Sequence, residues 1–119
     1  MRSAMRPAAI HETALGVSLP AGQWVTVLTV DLSAHSHASW SARNVGATVI
    51  TDSKLEVSPV AMDAPDEEWF DHPQQAANLS NIAVGAWGTG SGSEVSYRYH
   101  RLRMRSTSGS IVNAYVDAR

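Results

Sequence analysis

Residues 23–32, QWVTVLTVDL, decide the fold. Valine and threonine are stiff at χ1 and pack well on a pleated surface, so the run predicts a strand. Alternation puts Trp24, Leu28, Val30 and Leu32 on one side and Val25 and Val27 on the other. Both sides are therefore partly apolar, as in a strand whose second face is also covered, and Trp24 is expected among the core side chains.

Toward the N-terminus, Leu15, Val17 and Leu19 share one parity, which predicts a short strand over residues 11–19 running into a turn at Pro20-Ala21-Gly22. Residues 1–10, MRSAMRPAAI, show little periodicity and are expected to form a flexible N-terminal arm. Downstream, residues 33–39 are small and polar and predict a loop. Residues 40–43 begin another strand, Asn44-Val45-Gly46 supply a turn or bulge, and residues 47–51 (ATVIT) resume an extended pattern. A polar break is expected at Asp52-Ser53-Lys54, before Leu55 and Val57 alternate with Glu56 and Ser58. Pro59 has no N–H for a central ladder and belongs at an edge, a bulge or a strand end.

The middle follows other rules. Asp63 can cap a helix, Pro65 suits a first turn, and Asp66, Glu67 and Glu68 complement its dipole, while Pro73 stops or kinks it. One or two brief helical turns are expected over residues 63–79, pinned by Trp69 and Phe70. Residues 85–93, GAWGTGSGS, predict a glycine-rich loop. Beyond it, Val95, Tyr97 and Tyr99 share one parity and Leu102 and Met104 the other. Either both faces pack or a bulge near His100-Arg101 shifts the phase. Thr107-Ser108-Gly109 predicts a three-residue hairpin loop with residues 110–116 as the returning strand. Six to eight short strands without a sustained helix indicate an all-β fold, either an antiparallel β-sandwich or a small jelly-roll-like barrel. One long connection containing short helical turns interrupts it. Residues 11–119 are expected to form a single β-rich domain.

Composition narrows the function classes. At 119 residues the chain can bury its own core, and without cysteine it has no disulfides. Nine basic and eleven acidic groups leave a net charge of -2, which argues against general capture of a phosphate backbone. No apolar run approaches the ~20 residues of a membrane span or forms the core of a signal peptide.

Chemistry-bearing patterns are sparse. His35 and His37 would lie on one side of an extended segment, yet no second ligand pair accompanies them, so a solvated loop is the expectation. Asp63, Asp66, Glu67, Glu68 and Asp71 lack the ordered spacing and glycine of a calcium loop. Serines are abundant, but no G-x-S-x-G elbow positions one, and the glycine-rich run lacks a phosphate-binding lysine. No catalytic residue, metal or cofactor is expected, and the chain is not expected to be an enzyme.

The strongest charge pattern is Arg98, Arg101, Arg103 and Arg105, interleaved with Tyr97, Tyr99, Leu102 and Met104. In one strand Arg101, Arg103 and Arg105 project together. Such a stripe can contact phosphate beside stacking tyrosines, or pair with acids of residues 63–71 or of a neighbouring subunit. Four tryptophans in so short a chain, Trp24, Trp40, Trp69 and Trp87, add a second pattern. Trp69, Phe70 and Trp87 sit in connections, where large aromatics pin loops or anchor partners. These three and the four arginines are the candidate interface.

Residues 95–105, VSYRYHRLRMR, followed by residues 106–116, STSGSIVNAYV, resemble the end of small β-sandwich virion proteins of tailed bacteriophages. Residues 22–50, GQWVTVLTVDLSAHSHASWSARNVGATVI, resemble their strand-turn-strand body. The likeness covers about two-thirds of the chain. It implies a non-enzymatic structural protein that decorates a capsid, joins head to tail, or forms part of a tail or baseplate. Its partners would be other virion proteins and copies of itself, without a cofactor, in a virion assembled from chains made in the host cytoplasm. Two other functions fit the residues: a carbohydrate-binding β-sandwich module using Trp40, Trp69 or Trp87 as a platform for a host-surface glycan, and a nucleic-acid-contacting accessory protein using the arginine stripe.

Overall fold

A strand is stable only against a partner, so the order in which strands meet defines this fold. The computed structural model describes residues 9–33, 35, 37–72, 79–92 and 97–119. Among them run eight strands: β1 (Ile10–Leu19), β2 (Val25–Asp31), β3 (Ala38–Asn44), β4 (Asp52–Ser58), β5 (Phe70–Asp71), β6 (Trp87–Gly92), β7 (Tyr99–Arg105) and β8 (Ser110–Ala118). They build two four-stranded antiparallel sheets, sheet I in the order β1-β8-β3-β6 and sheet II in the order β2-β7-β4-β5.

The pairings are nested: β1 with β8, β2 with β7, β3 with β6 and β4 with β5. One long two-stranded ribbon has in effect been folded over, and the β3–β8 and β4–β7 ladders join its layers into sheets. Eight strands connected in this way form a jelly roll, so the chain is an all-β sandwich. Leu32, Ile50, Leu102, Met104, Val112 and Val116 are fully buried, and Trp40 joins them in the core.

Two register shifts overturn the parity expected from alternation. In β1 the shift falls between Ala14 and Val17. There Gly16 takes φ +64°, and its N–H donates to Asn113 Oδ1 at 2.7 Å. The extra residue turns Leu15 outward, 65% exposed, while Val17 and Leu19 face the core. In β2 the shift lies between Thr26 and Leu28, so Val25, Val27, Leu28 and Val30 all reach the core. Trp24 is displaced to the outer face of sheet II, beneath Lys54 and Arg105. It is not the core side chain that alternation predicts.

Pairing also rewrites several segments. Asp52-Ser53-Lys54 opens β4 instead of breaking it, pairing with Arg105, Met104 and Arg103 of β7, and Asp52 meets its counterion Arg105 there. Residues 47–51 join no strand: Ile50 forms an isolated bridge to Ile82, and the Thr51 N–H donates to Arg105 O at the end of β7 at 3.0 Å. The expected loop at residues 85–93 is largely β6, with Gly88, Gly90 and Gly92 directly across from Ala42, Trp40 and Ala38. Gly90 adds no bulk opposite the largest side chain of β3. Strand β7 keeps an unbroken register with β4, so no bulge lies at His100-Arg101 and both of its faces pack.

The terminal hairpin is likewise overturned, since β7 belongs to sheet II and β8 to sheet I. The turn with Gly109 at φ +88° carries the chain between the sheets. Pro59 does follow the end of β4. Between β4 and β5 lies one 3-10 turn, Asp66–Glu68, preceded by Pro65 and without a side-chain cap, so Asp63 does not play that role. The expected second turn falls mostly on residues 73–78, the arm mostly on residues 1–8, and Val95 on residues 93–96. All three stretches lie outside the described residues.

Candidate functional site

Alternation along β7 sends His100, Leu102 and Met104 inward and Arg101, Arg103 and Arg105 outward. The arginines do project together. The β4–β7 register then sets acids against them: Arg105 faces Asp52, and Arg101 faces Glu56. Arg105 Nη2 lies 3.0 Å from Asp52 Oδ2. Arg101 Nε donates to Glu56 Oε1 at 2.8 Å, and its Nη1 donates to Asp66 Oδ1 at 3.2 Å. Arg98, beyond the strand, pairs with Asp31 at 3.1 Å and lies over Tyr99.

These contacts leave a mark on the acids. A backbone hydrogen bond from Ser33, with help from Arg98, holds the Asp31 carboxyl below its ordinary range. Asp52 is lowered by the Thr51 hydroxyl and by Arg105. Of the stripe, Arg103 alone makes no ion pair among the described residues, and its Nε is enclosed without an acceptor.

The aromatic candidates separate. Trp69 is buried in the protomer: its Nε1 donates to Ala64 O at 3.0 Å, and Arg101 covers its ring at 4.5 Å. Neither Trp69 nor Arg101 therefore offers its side chain to a partner. Phe70 is 44% exposed and meets Tyr97 edge-on, with ring centroids 5.1 Å apart. Trp87 is 54% exposed on the outer face of sheet I.

Around Trp87 the sheet register assembles a surface. Arg43 is its direct neighbour on β3 and lies 5.8 Å from its ring. On β8, Tyr115 reaches across the short Ser41 to Trp87, with centroids 5.6 Å apart and planes at 34°. Val45 binds the β8 backbone beside Ile111, and Leu15 stands on the β1 bulge. Leu15, Val45, Trp87 and Ile111 are all exposed, so four chain segments present apolar side chains on one outer face. Sequence reading singled out Trp87 but missed Arg43 and Tyr115, because only the sheet order brings β6, β3 and β8 side by side.

The histidines divide as well. His35 Nδ1 bonds Ser33 O at 3.0 Å, and the His37 backbone pairs with Arg119. Among the described residues no group of three or more His, Cys, Asp or Glu is placed to hold a metal ion. His72 and His100 are buried together, with rings 5.4 Å apart. The parity of His100 with Leu102 and Met104 was the available signal for this pair.

Burial pushes the His100 imidazole down to about 4, although its Nε2 contact with Tyr97 O opposes the shift. Burial lowers His72 too. Since the unfolded chain takes up the His100 proton first, stability is full above about pH 6.5 and falls as the pH drops toward 4. The loss attributable to His100 is about 3 kcal/mol at ~1.4 kcal/mol per pH unit. Urea unfolding between pH 7.5 and 4.5 should show this slope, and His100→Gln should reduce it to the part that His72 contributes. The Asp31 and Asp52 contributions disappear only below about pH 4 and leave that window clear.

A comparison with family models finds none that matches this chain, and a search of curated proteins finds no match.

Proposed function

We propose that the chain is a non-enzymatic structural protein that assembles, with copies of itself and with other virion proteins, into a bacteriophage particle. The observation that carries the reading is the outer face of sheet I. An exposed apolar face larger than a few hundred Å² marks a contact site on a soluble protein. Here Leu15, Val45, Trp87 and Ile111 stand exposed on or beside neighbouring strands. A rigid sandwich presenting such a face is suited to repeated protein contact. Jelly rolls serve in viral capsids, and also in lectins, so the fold is compatible with the reading without deciding it.

Sedimentation velocity over a wide concentration range tests assembly. The full chain should form larger species as concentration rises, and Trp87→Ser should weaken association about tenfold or more. A monomer at every concentration would overturn the proposal. Antibody labelling of purified phage particles tests the location. Signal confined to unassembled protein would remove the virion from the proposal.

One observation favours a carbohydrate module instead: the Trp87–Tyr115 pair has Ser41 and Thr89 beside it, offering an aromatic ring with hydroxyls around it. Trp40 and Trp69, the other members of the expected platform, are buried. Glycan titration that is saturable and lost in Trp87→Ser, on a chain that stays monomeric, would establish that reading. The nucleic-acid reading has less support, since Arg98, Arg101 and Arg105 are paired with acids of the same chain.

A further inference from the structure

The outer face of sheet II carries a charge that it does not neutralise. Lys54 and Arg103 stand directly opposite each other in the β4–β7 register, where like charges repel. Lys54 leans toward Glu56, 3.6 Å away, and lies over Trp24. Arg103 has no ion pair among the described residues. Its Nε is enclosed and lacks an acceptor, while the side chain as a whole is only half-buried. Along the strand it sits between Arg101, capped by Trp69, and Arg105, capped by Trp24. The short Thr26 flanks it on β2. A cation held between two indole-capped neighbours, beside a second cation, is a prepared position for a carboxylate.

Matching carboxylates stand at the rim of the same face. Asp66 bonds Arg101 and so ties the 3-10 turn to sheet II. Next to it, Glu67 and Glu68 are exposed and make no ion pair among the described residues. We propose that this face docks a second copy of the chain about a twofold axis, the acidic turn of each copy reaching Arg103 of the other. Charge complementarity selects this occupant. In an isologous contact slot and turn share one patch, so each pair forms twice. This inference rests on the self-assembly reading. It adds a second contact on the sheet opposite the apolar face, so that association can continue beyond a dimer.

Mass photometry and sedimentation of the full chain at low and high salt test it. The wild type should lose its larger species as salt screens the contact, and Arg103→Glu should weaken that step about tenfold or more while Arg103→Gln weakens it less. Combining Arg103→Glu with Glu67→Lys and Glu68→Lys should restore it. Thermal melts establish that each variant is folded. If Arg103→Glu assembles like the wild type while Trp87→Ser does not, the docking face is wrong and the structural role survives. If the wild type is monomeric throughout, both fail. If a labelled DNA duplex binds in an Arg103-dependent way with association unchanged, the site belongs to nucleic acid and the proposal is overturned.

Discussion

Replacing Asn44 by leucine is expected to destabilise the fold by about 2–4 kcal/mol, the range for stranding buried polar groups in a network. Asn44 is fully buried at the end of β3. Its Nδ2 donates to Thr48 O at 2.8 Å and to Ile82 O at 2.9 Å. Its Oδ1 accepts from the Gly46 N–H at 3.0 Å and from the Ser110 hydroxyl at 2.9 Å. One side chain therefore uses its full amide capacity to hold the bend after β3, the Ile82 bridge and the start of β8. The bend leaves no room for adjustment, because a Cβ on Gly46 would collide with Ser110 Oγ and Ile111 N.

Leucine keeps the branching at Cγ, adds bulk at a fully buried position and removes all four bonds. Ser110 can turn fully to Thr48 O, and Ile82 O retains the Ile50 N–H, so the chief orphan is the Gly46 N–H. Asn44→Asp is the sharper variant. It preserves both acceptor roles but sets a carboxylate against two carbonyl oxygens. Its deficit should shrink as the pH falls and the carboxyl takes up a proton that can donate. Urea midpoints at neutral and acid pH, measured at constant m-value, check both variants. A leucine variant as stable as the wild type would show that the network contributes little.

The second large effect is expected at Arg101. Its side chain is 7% exposed and that of Glu56 8%, and Trp69 covers the guanidinium. Arg101→Met would leave Glu56 buried with only Lys54, 3.6 Å away, as a counterion. Removing one member of a buried pair costs about 3–5 kcal/mol, mostly for the charge left behind. Replacing both members, as in Arg101→Met with Glu56→Leu, should recover most of that loss. The resulting double-mutant cycle isolates the coupling. Arg101→Met should also release the 3-10 turn, whose Asp66 and Trp69 both meet Arg101. Hydrogen exchange over residues 64–69 should then rise before global unfolding. Unchanged exchange there would show that the turn is held by other contacts.

The same two sites show how far the sequence could be read. Turn chemistry pointed to Asn44-Val45-Gly46, because Asn and Gly favour bends. Nothing local indicated that the amide would reach Ile82 and Ser110, which are distant in the chain. Alternation put Arg101, Arg103 and Arg105 on one face. The counterions Asp52 and Glu56 emerged only once β4 lay beside β7. Arg103 differs from its neighbours for the same reason, since it faces Lys54 and Thr26 where they face acids. Trp24 and Leu15 were misplaced because a single extra residue reverses every later side chain, and such shifts answer to the partner strand.

By itself, then, the sequence determined the material of the fold: β-branched and aromatic runs too short for anything but strands, Pro59 after β4, acids in a brief central turn, and glycine at the left-handed turn position 109. These are local preferences, set by φ/ψ sterics and side-chain alternation within a few residues. The tertiary structure alone decided the nested pairing, the conversion of a glycine-rich run into β6, the crossing from β7 to β8 between sheets, and the withdrawal of Trp69 and Arg101 from the surface. A strand's hydrogen bonds are made to chain that is remote in sequence, so its partner, register and outer face are fixed only when the whole sandwich closes.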